Sequence, residues 1–455
     1  EINKALDSYT IQSLGFEQFF RRYLKDELPP VLMGPATKHY SWPKNAAVLG
    51  IGKNNFLNIN VDMDARMDIK HLRTQLDKCL AARQPILMVV VVLGSTEESA
   101  VDPLAAVIAM REEYRKSGLE FAVHVDAAWG GYFASLLRKP HADSSGVIMD
   151  SHTPDFMLSD YVTEQYNAIP KADSVTIDPH KAGYIPYPAG GLCYRNRSMR
   201  DLVAFLAPEV YHGEKVDAAM GVFGIEGSKP GAAAAGVYLS HRIIRPDQSG
   251  YGKILGKALF NSKRFYAGIV TLAEPGDPFI VVPVQQIPAE KEGKSGKEID
   301  RQLQYIKKNI VDKENKDITQ EGINLLKELG SDQIIITYAF NFKDKNGVLN
   351  ADPKKANDFN HKVFEALSLS PDKPNHKPGL IITTSQFEPE VYGQQFVRTF
   401  MRRLGVDDSN LITMNFLSST TMCPWLTDTE KGNFVPELTK ALREAVIELV
   451  HDFQA

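Results

Sequence analysis

The 455 residues carry 52 Lys plus Arg against 56 Asp plus Glu, a formal charge of −4, with 43% hydrophobic residues. That balance suits an ordinary soluble globular protein and leaves no electrostatic footprint for nucleic acid or an anionic membrane surface. No apolar run reaches the roughly 18 residues of a membrane-spanning helix, so a small-molecule substrate is the expectation, and the length predicts a large domain plus a smaller one.

Residues 11–26 place Ile11, Leu14, Phe19, Phe20, Tyr23 and Leu24 at near-helical spacing, and Pro29 with Pro30 end the pattern. Short apolar runs at 31–33, 56–61, 86–93, 121–125, 175–177 and 191–194 read as strands buried on both faces. Between them, 103–118 reads as a helix with Leu104, Val107 and Ile108 inward, Arg111, Glu112, Glu113, Arg115 and Lys116 largely outward, and Gly118 at its end. Strand, helix, strand in that order predicts an α/β domain with a mostly parallel sheet, whose ligands sit at the carboxyl ends of the strands. Helical patterning over 237–275 bridges out of the large domain, taken as 1–275. Beyond it, strands at 279–282, 334–340 and 380–384 and a final helix at 435–453 predict a smaller α+β domain over 276–455, with 290–300 as a solvated loop. Cys79, Cys193 and Cys423 are widely spaced, with no metal-type cluster, and suit a reducing, cytoplasmic compartment.

Two strand ends carry chemistry. SVTIDPHK (174–181) follows a strand and precedes the glycine- and proline-rich AGYIPYPAGG, so His180 and Lys181 project from a turn fixed by Pro179. A lysine withdrawn from bulk water there can act as an amine nucleophile; an isolated HK pair would more often be a surface lysine beside a structural histidine. HVDAAWGG (124–131) sets Asp126 at the close of an apolar run, followed by a flat surface of alanines and glycines. A carboxylate so placed keeps a pyridine nitrogen protonated, and the protonated ring withdraws electrons from a developing carbanion; alone it would more often be a helix cap or a salt-bridge partner. His39, in KHYSW, is flat enough to stack and moves a proton near neutral pH, although by itself it reads as a hydrogen-bonded core histidine.

The two motifs at this interval resemble the group II pyridoxal-phosphate decarboxylases, and within them the microbial tyrosine decarboxylase type. TKHYSWPKNAAVLGIG (37–52), VDMDARMDI (61–69) and GSTEESAVDPL (94–104) support the resemblance in the family's order, which is good over about 30–240 and weaker in the C-terminal third. It implies a fold type I large domain, pyridoxal 5'-phosphate as cofactor, a homodimer, and decarboxylation of an L-amino acid. An aromatic one, tyrosine or dopa, comes before glutamate or aspartate, because no arginine in the matched motifs is set for a distal acid. Carried over by motif, Lys181 is the Schiff-base lysine, Asp126 the partner of the pyridine nitrogen, Ala128 the surface beneath the ring and His39 the group stacked on its other face. Thr96, Ser174 and His180 fall around the phosphate and ring hydroxyl, where small polar turn formers are equally common. For the proton donor to the α-carbon, Tyr187 in GYIPYPAGG is preferred and Tyr211 in PEVYHGE is held in reserve. GIEGSKPGAAAAG (224–236) matches the turn and small-residue helix near the family's dimer interface, and SSTTMCPWL (418–426) falls where tyrosine-type enzymes close over the side chain.

The family also grips the phosphate with a glycine- and serine-rich loop upstream of the stacking histidine. Nothing before His39 resembles it, and the chain opens on Glu1. The expectation is therefore an internal or processed start, with the loop on a separate N-terminal piece. Competing readings are another carbon–carbon lyase of the same cofactor class, such as a sphingosine-phosphate-lyase-like enzyme, and a catalytically inactive paralogue acting as a binding partner.

Overall fold

The computed structural model describes residues 7–141, 146–149, 151–199, 204, 222–226, 229–369 and 378–454. Its first sheet runs β2-β1-β3-β4-β5-β6, with β1 Val31–Pro35, β2 Phe56–Ile59, β3 Ile86–Val92, β4 Ala122–Ala127, β5 Ser174–Ile177 and β6 Gly191–Tyr194. Neighbours from β2 to β5 pair in parallel and only β6 is antiparallel. Apolar β1, β3 and β4 are buried on both faces as their composition requires: Val89 and Val91 on one face of β3 and Val90 on the other are at 0% exposure, as are Val123 and Val125 on β4, with His124 between them buried. β6 departs from the expectation: Gly191, Leu192 and Cys193 are exposed, because the strand forms the sheet's outer edge.

Helices return the chain between parallel strands. Asp68 caps Ile69–Ala81 by accepting from the backbone N–H groups of Lys70 and His71, and Leu72 and Leu76 on that helix are fully buried. Leu104–Arg115 buries Leu104, Val107 and Ile108 as its pattern predicts. Arg111 corrects that pattern: it is buried, 2.7 Å from Asp173, and donates to the Lys171 carbonyl, tying the helix to the entry of β5.

The second sheet is antiparallel, in the order β7-β8-β10-β9, from β7 Phe279–Pro283, β8 Ile335–Phe342, β9 Thr383–Phe387 and β10 Met414–Thr420. β9 starts later than the apolar run at 380–384 suggests; its register is set by pairing Thr383 through Phe387 against Ser418 through Met414. Helix Pro353–Ala366 packs on β8 and β10 and against Val435–Phe453. Helix Tyr251–Val270, buried along most of its length, packs on both the turn Gly130–Leu136 and helix Val435–Phe453. The 290–300 stretch is not simply a solvated loop: Ser295 and Glu298 form a capping box that starts helix Gly296–Ile306.

Candidate active site

β4 delivers Asp126 to the carboxyl end of the sheet, where it is buried. Its Oδ1 accepts from the Ala128 backbone N–H at 3.2 Å and its Oδ2 from the Trp42 indole N–H at 2.8 Å. Each oxygen thus has one donor and a lone pair to spare. The turn that follows runs tight against the end of β3, close enough that a β-carbon at Gly130 would collide with the Leu93 carbonyl, and the Gly130 carbonyl accepts from the Tyr166 hydroxyl at 2.6 Å.

β5, next to β4 in register Asp126↔Thr176, ends at Ile177 and feeds the lysine turn. The Asp178 N–H donates to the Ala128 carbonyl, the Lys181 N–H to the Asp178 carbonyl, and the Ile185 N–H to the Pro179 carbonyl. Lys181 is only 15% exposed along its side chain, and its Nζ lies 3.2 Å from Asp178 Oδ2 and 5.8 Å from the centre of the Trp129 ring. His180 Nδ1 accepts from the Ala189 N–H, and its ring lies on Tyr187 with centroids 3.8 Å apart and planes at 32°.

His39 follows β1 and is half-buried, its Nδ1 2.8 Å from Ser41 Oγ. Burial lowers its proton affinity and the Lys181 ammonium lowers it further, while Asp126 and Asp178 pull the other way. Lys181, Asp126 and Asp178 therefore all lie within electrostatic reach of His39. His124, beneath Asp126 on β4, is likewise lowered by burial; its Nδ1 meets Ser174 Oγ at 2.8 Å and its Nε2 meets Thr176 Oγ1 at 3.1 Å.

Of the other residues singled out by sequence, Ala128 holds both strand ends together through its backbone. Thr96 is exposed on the turn after β3, and Ser174, at the start of β5, faces His124. Tyr187 is 72% exposed, and Tyr211 lies outside the described residues. The 418–426 stretch does reach the lysine turn, since the Tyr184 hydroxyl donates to the Met422 carbonyl at 2.7 Å. Sequence reasoning missed Asp178 and Trp42. The first was legible as the acidic residue three before the lysine in DPHK; the second, 84 residues from its aspartate, carried no local signal.

Residues 23–149 match the pyridoxal-dependent decarboxylase conserved domain. The chain is 39% identical over 246 residues to an L-tyrosine decarboxylase of Levilactobacillus brevis, covering 51% of this chain and 39% of that one. It is 33% identical over 438 residues to an L-tyrosine decarboxylase of Enterococcus faecalis, covering 92% of this chain and 62% of that one. The chain therefore spans less than two thirds of the length of either relative. A crystal structure of mouse CSAD superposes with a TM-score of 0.59 at 16% identity, over 94% of this chain and 68% of that one, which shows a shared fold. In its matched domain and its relatives, the chain is similar to the pyridoxal-dependent decarboxylases of group II, the L-tyrosine decarboxylases among them.

Proposed function

We propose that this chain binds pyridoxal phosphate and decarboxylates an L-amino acid, with tyrosine or dopa as the substrate class, to the amine and carbon dioxide. The observation that carries the proposal is the convergence of Lys181 and Asp126 at the carboxyl ends of adjacent strands, with half-buried His39 within electrostatic reach of both. The donor set fits the cofactor: an amine withdrawn from solvent, a fixed carboxylate with lone pairs to spare, and a flat imidazole. When bound, pyridoxal phosphate supplies a protonated pyridine ring that draws electrons from the bond to the substrate carboxylate.

In this reading Asp126 keeps the ring nitrogen protonated, Ala128 lies beneath the ring and Lys181 Nζ is the amine that holds the cofactor. His39 covers the opposite face and keeps water from the reacting carbon; its lowered proton affinity favours the neutral imidazole that stacking uses. Thr96 and His180 serve the phosphate and ring hydroxyl, and Ser174 acts through its bond to His124. A phenol returns the proton to the α-carbon, Tyr187 first and Tyr211 in reserve. A homodimer fits the exposed Tyr238, Leu239 and Ile243 on helix Ala232–Ile243, and a reducing, cytoplasmic setting fits the free thiols of Cys79, Cys193 and Cys423. No helix among the described residues is long and apolar enough to cross a membrane. A further segment supplying the phosphate loop fits the 62% coverage of the Enterococcus relative, and the division into 1–275 and 276–455 fits the two sheets.

The test is a visible absorption spectrum of the protein with pyridoxal phosphate, before and after L-tyrosine, L-dopa, L-glutamate or L-aspartate, with carbon dioxide followed in parallel. A cofactor band that shifts with an aromatic substrate and accompanies gas release is expected, as is total loss of borohydride-trapped cofactor in Lys181→Ala. Carbon dioxide from the acidic substrates alone would overturn the substrate class, and no cofactor band would overturn the enzyme reading.

A further inference from the structure

We propose that Trp42 is a positioning residue for the cofactor's pyridine nitrogen, clamping the Asp126 carboxylate through its indole N–H; this rests on the cofactor reading above. The bond from Trp42 Nε1 to Asp126 Oδ2 is 2.8 Å long and lies between partly buried groups 84 residues apart. A hydrogen bond to an ionised acceptor is among the stronger ones available to a side chain, and its geometry is directional. With the Ala128 N–H on Oδ1, the indole fixes the carboxylate at both oxygens, so the lone pairs left over point in set directions before any ligand arrives.

The indole is itself held. Its ring lies edge-on to His124, with centroids 5.2 Å apart and planes at 60°, and 6.3 Å from Phe56. His124 cannot turn away easily, because Ser174 and Thr176 engage both of its ring nitrogens. Trp42 also lies in the first turn of helix Ser41–Val48, and its backbone N–H donates to the His39 carbonyl at 3.1 Å. One short segment therefore carries both His39 and the clamp on Asp126, coupling the two groups that the proposed cofactor ring would meet. A tryptophan that merely filled space would need its ring there, but not its N–H.

Trp42→Phe separates the two roles, since phenylalanine keeps most of the packing and removes the donor. Pyridoxal-phosphate affinity, read by titrating the visible band, should weaken about tenfold, the equivalent of one lost hydrogen bond to a charged group. The pH dependence of that band should shift as well, while the melting temperature stays near that of the wild type. Phe56→Leu, which trims a packing neighbour and leaves the N–H, should change affinity by less than about twofold. Wild-type affinity and band in Trp42→Phe, or equal losses in both variants, would overturn the clamp. Should Trp42→Phe not fold, hydrogen exchange at the wild-type indole decides: a protected N–H supports the clamp and a freely exchanging one overturns it. Wild-type protein that forms no band fails the cofactor reading instead, and the two failures are thereby distinct.

Discussion

A β-carbon at position 130 would stand 1.9 Å from the Leu93 carbonyl oxygen and 2.7 Å from the Tyr166 hydroxyl, whereas the nearest atoms to one at position 131 belong to the Ile177 side chain, at 2.7 Å. Backbone cannot retreat as a side-chain methyl can, so the two glycines of HVDAAWGG are unequal. Gly130→Ala is expected to destabilise the protein by about 3 kcal/mol, the upper range for overpacking, and Gly131→Ala by about 1 kcal/mol. Urea denaturation of both variants checks the order, and equal costs would refute this reading of the turn. At the same scale, the placement of Lys181, Asp126 and His39 after strand ends was legible from pattern, whereas reading them together came from the pairing of the two motifs and the resemblance they carry. Arg111 was not legible. It follows the helical charge pattern of its neighbours, and the Asp173 carboxylate at 2.7 Å and the Lys171 carbonyl at 3.0 Å, both arriving from a distant segment, make its burial tolerable.

Elements with strong periodicity needed nothing but their own residues. Helix Val435–Phe453 and strand β6 fall where pattern places them, yet β6 lacks the burial its composition suggests, because which strand becomes an edge is decided by sheet order and not by the strand. In 290–300 charge and glycine content masked a helix start. Glu298 closes that helix start, its Oε2 accepting from both the Ser295 hydroxyl and the Ser295 N–H at 2.7 and 3.1 Å. S-x-x-E was present in the sequence and reads as a cap once the charge run is not taken as evidence of solvation. Ser295→Ala should cost about 1 kcal/mol in thermal or urea unfolding, with Glu298→Ala costing no more than that. A neutral Ser295→Ala would mean that the helix end is held by its packing instead.

Across the whole molecule, the turn that follows β3 and carries Thr96 is held from β8 of the second sheet, from the residue before it and from Tyr392 on the short helix Pro389–Tyr392 that follows β9. The Thr337 hydroxyl on β8 donates to the Glu97 carbonyl at 2.5 Å, the Ile334 N–H to Ser99 Oγ at 3.2 Å, and the Tyr392 hydroxyl to Glu98 Oε1 at 2.7 Å. No periodic pattern links residues 98 and 392, which is why this coupling could not be read from sequence. Glu98 is wholly buried, with the Ser95 hydroxyl at 2.8 Å on its other oxygen and no cation bonded to it among the described residues. Burial, with some help from the charge of Glu97, pushes its carboxyl up from 4.5 to about 7. The folded protein therefore keeps this proton over a range in which the unfolded chain has lost it. The stabilisation is complete below pH about 4.5 and is lost as pH rises through about 7. Asp102, raised to about 7 by the same cause, slopes in the same direction, so the informative quantity is a difference between variants. Glu98→Gln keeps the shape and an acceptor for Tyr392 while removing the titration. Between pH 5 and 8 the wild type should lose on the order of 2 kcal/mol more than Glu98→Gln, measured by urea denaturation at unit steps. Parallel curves would show that the carboxylate stays ionised throughout. The hydroxyls of Ser95 and Tyr392 would then be fixed donors to a permanent buried charge, and the link between the second sheet and the Thr96 turn would be insensitive to pH.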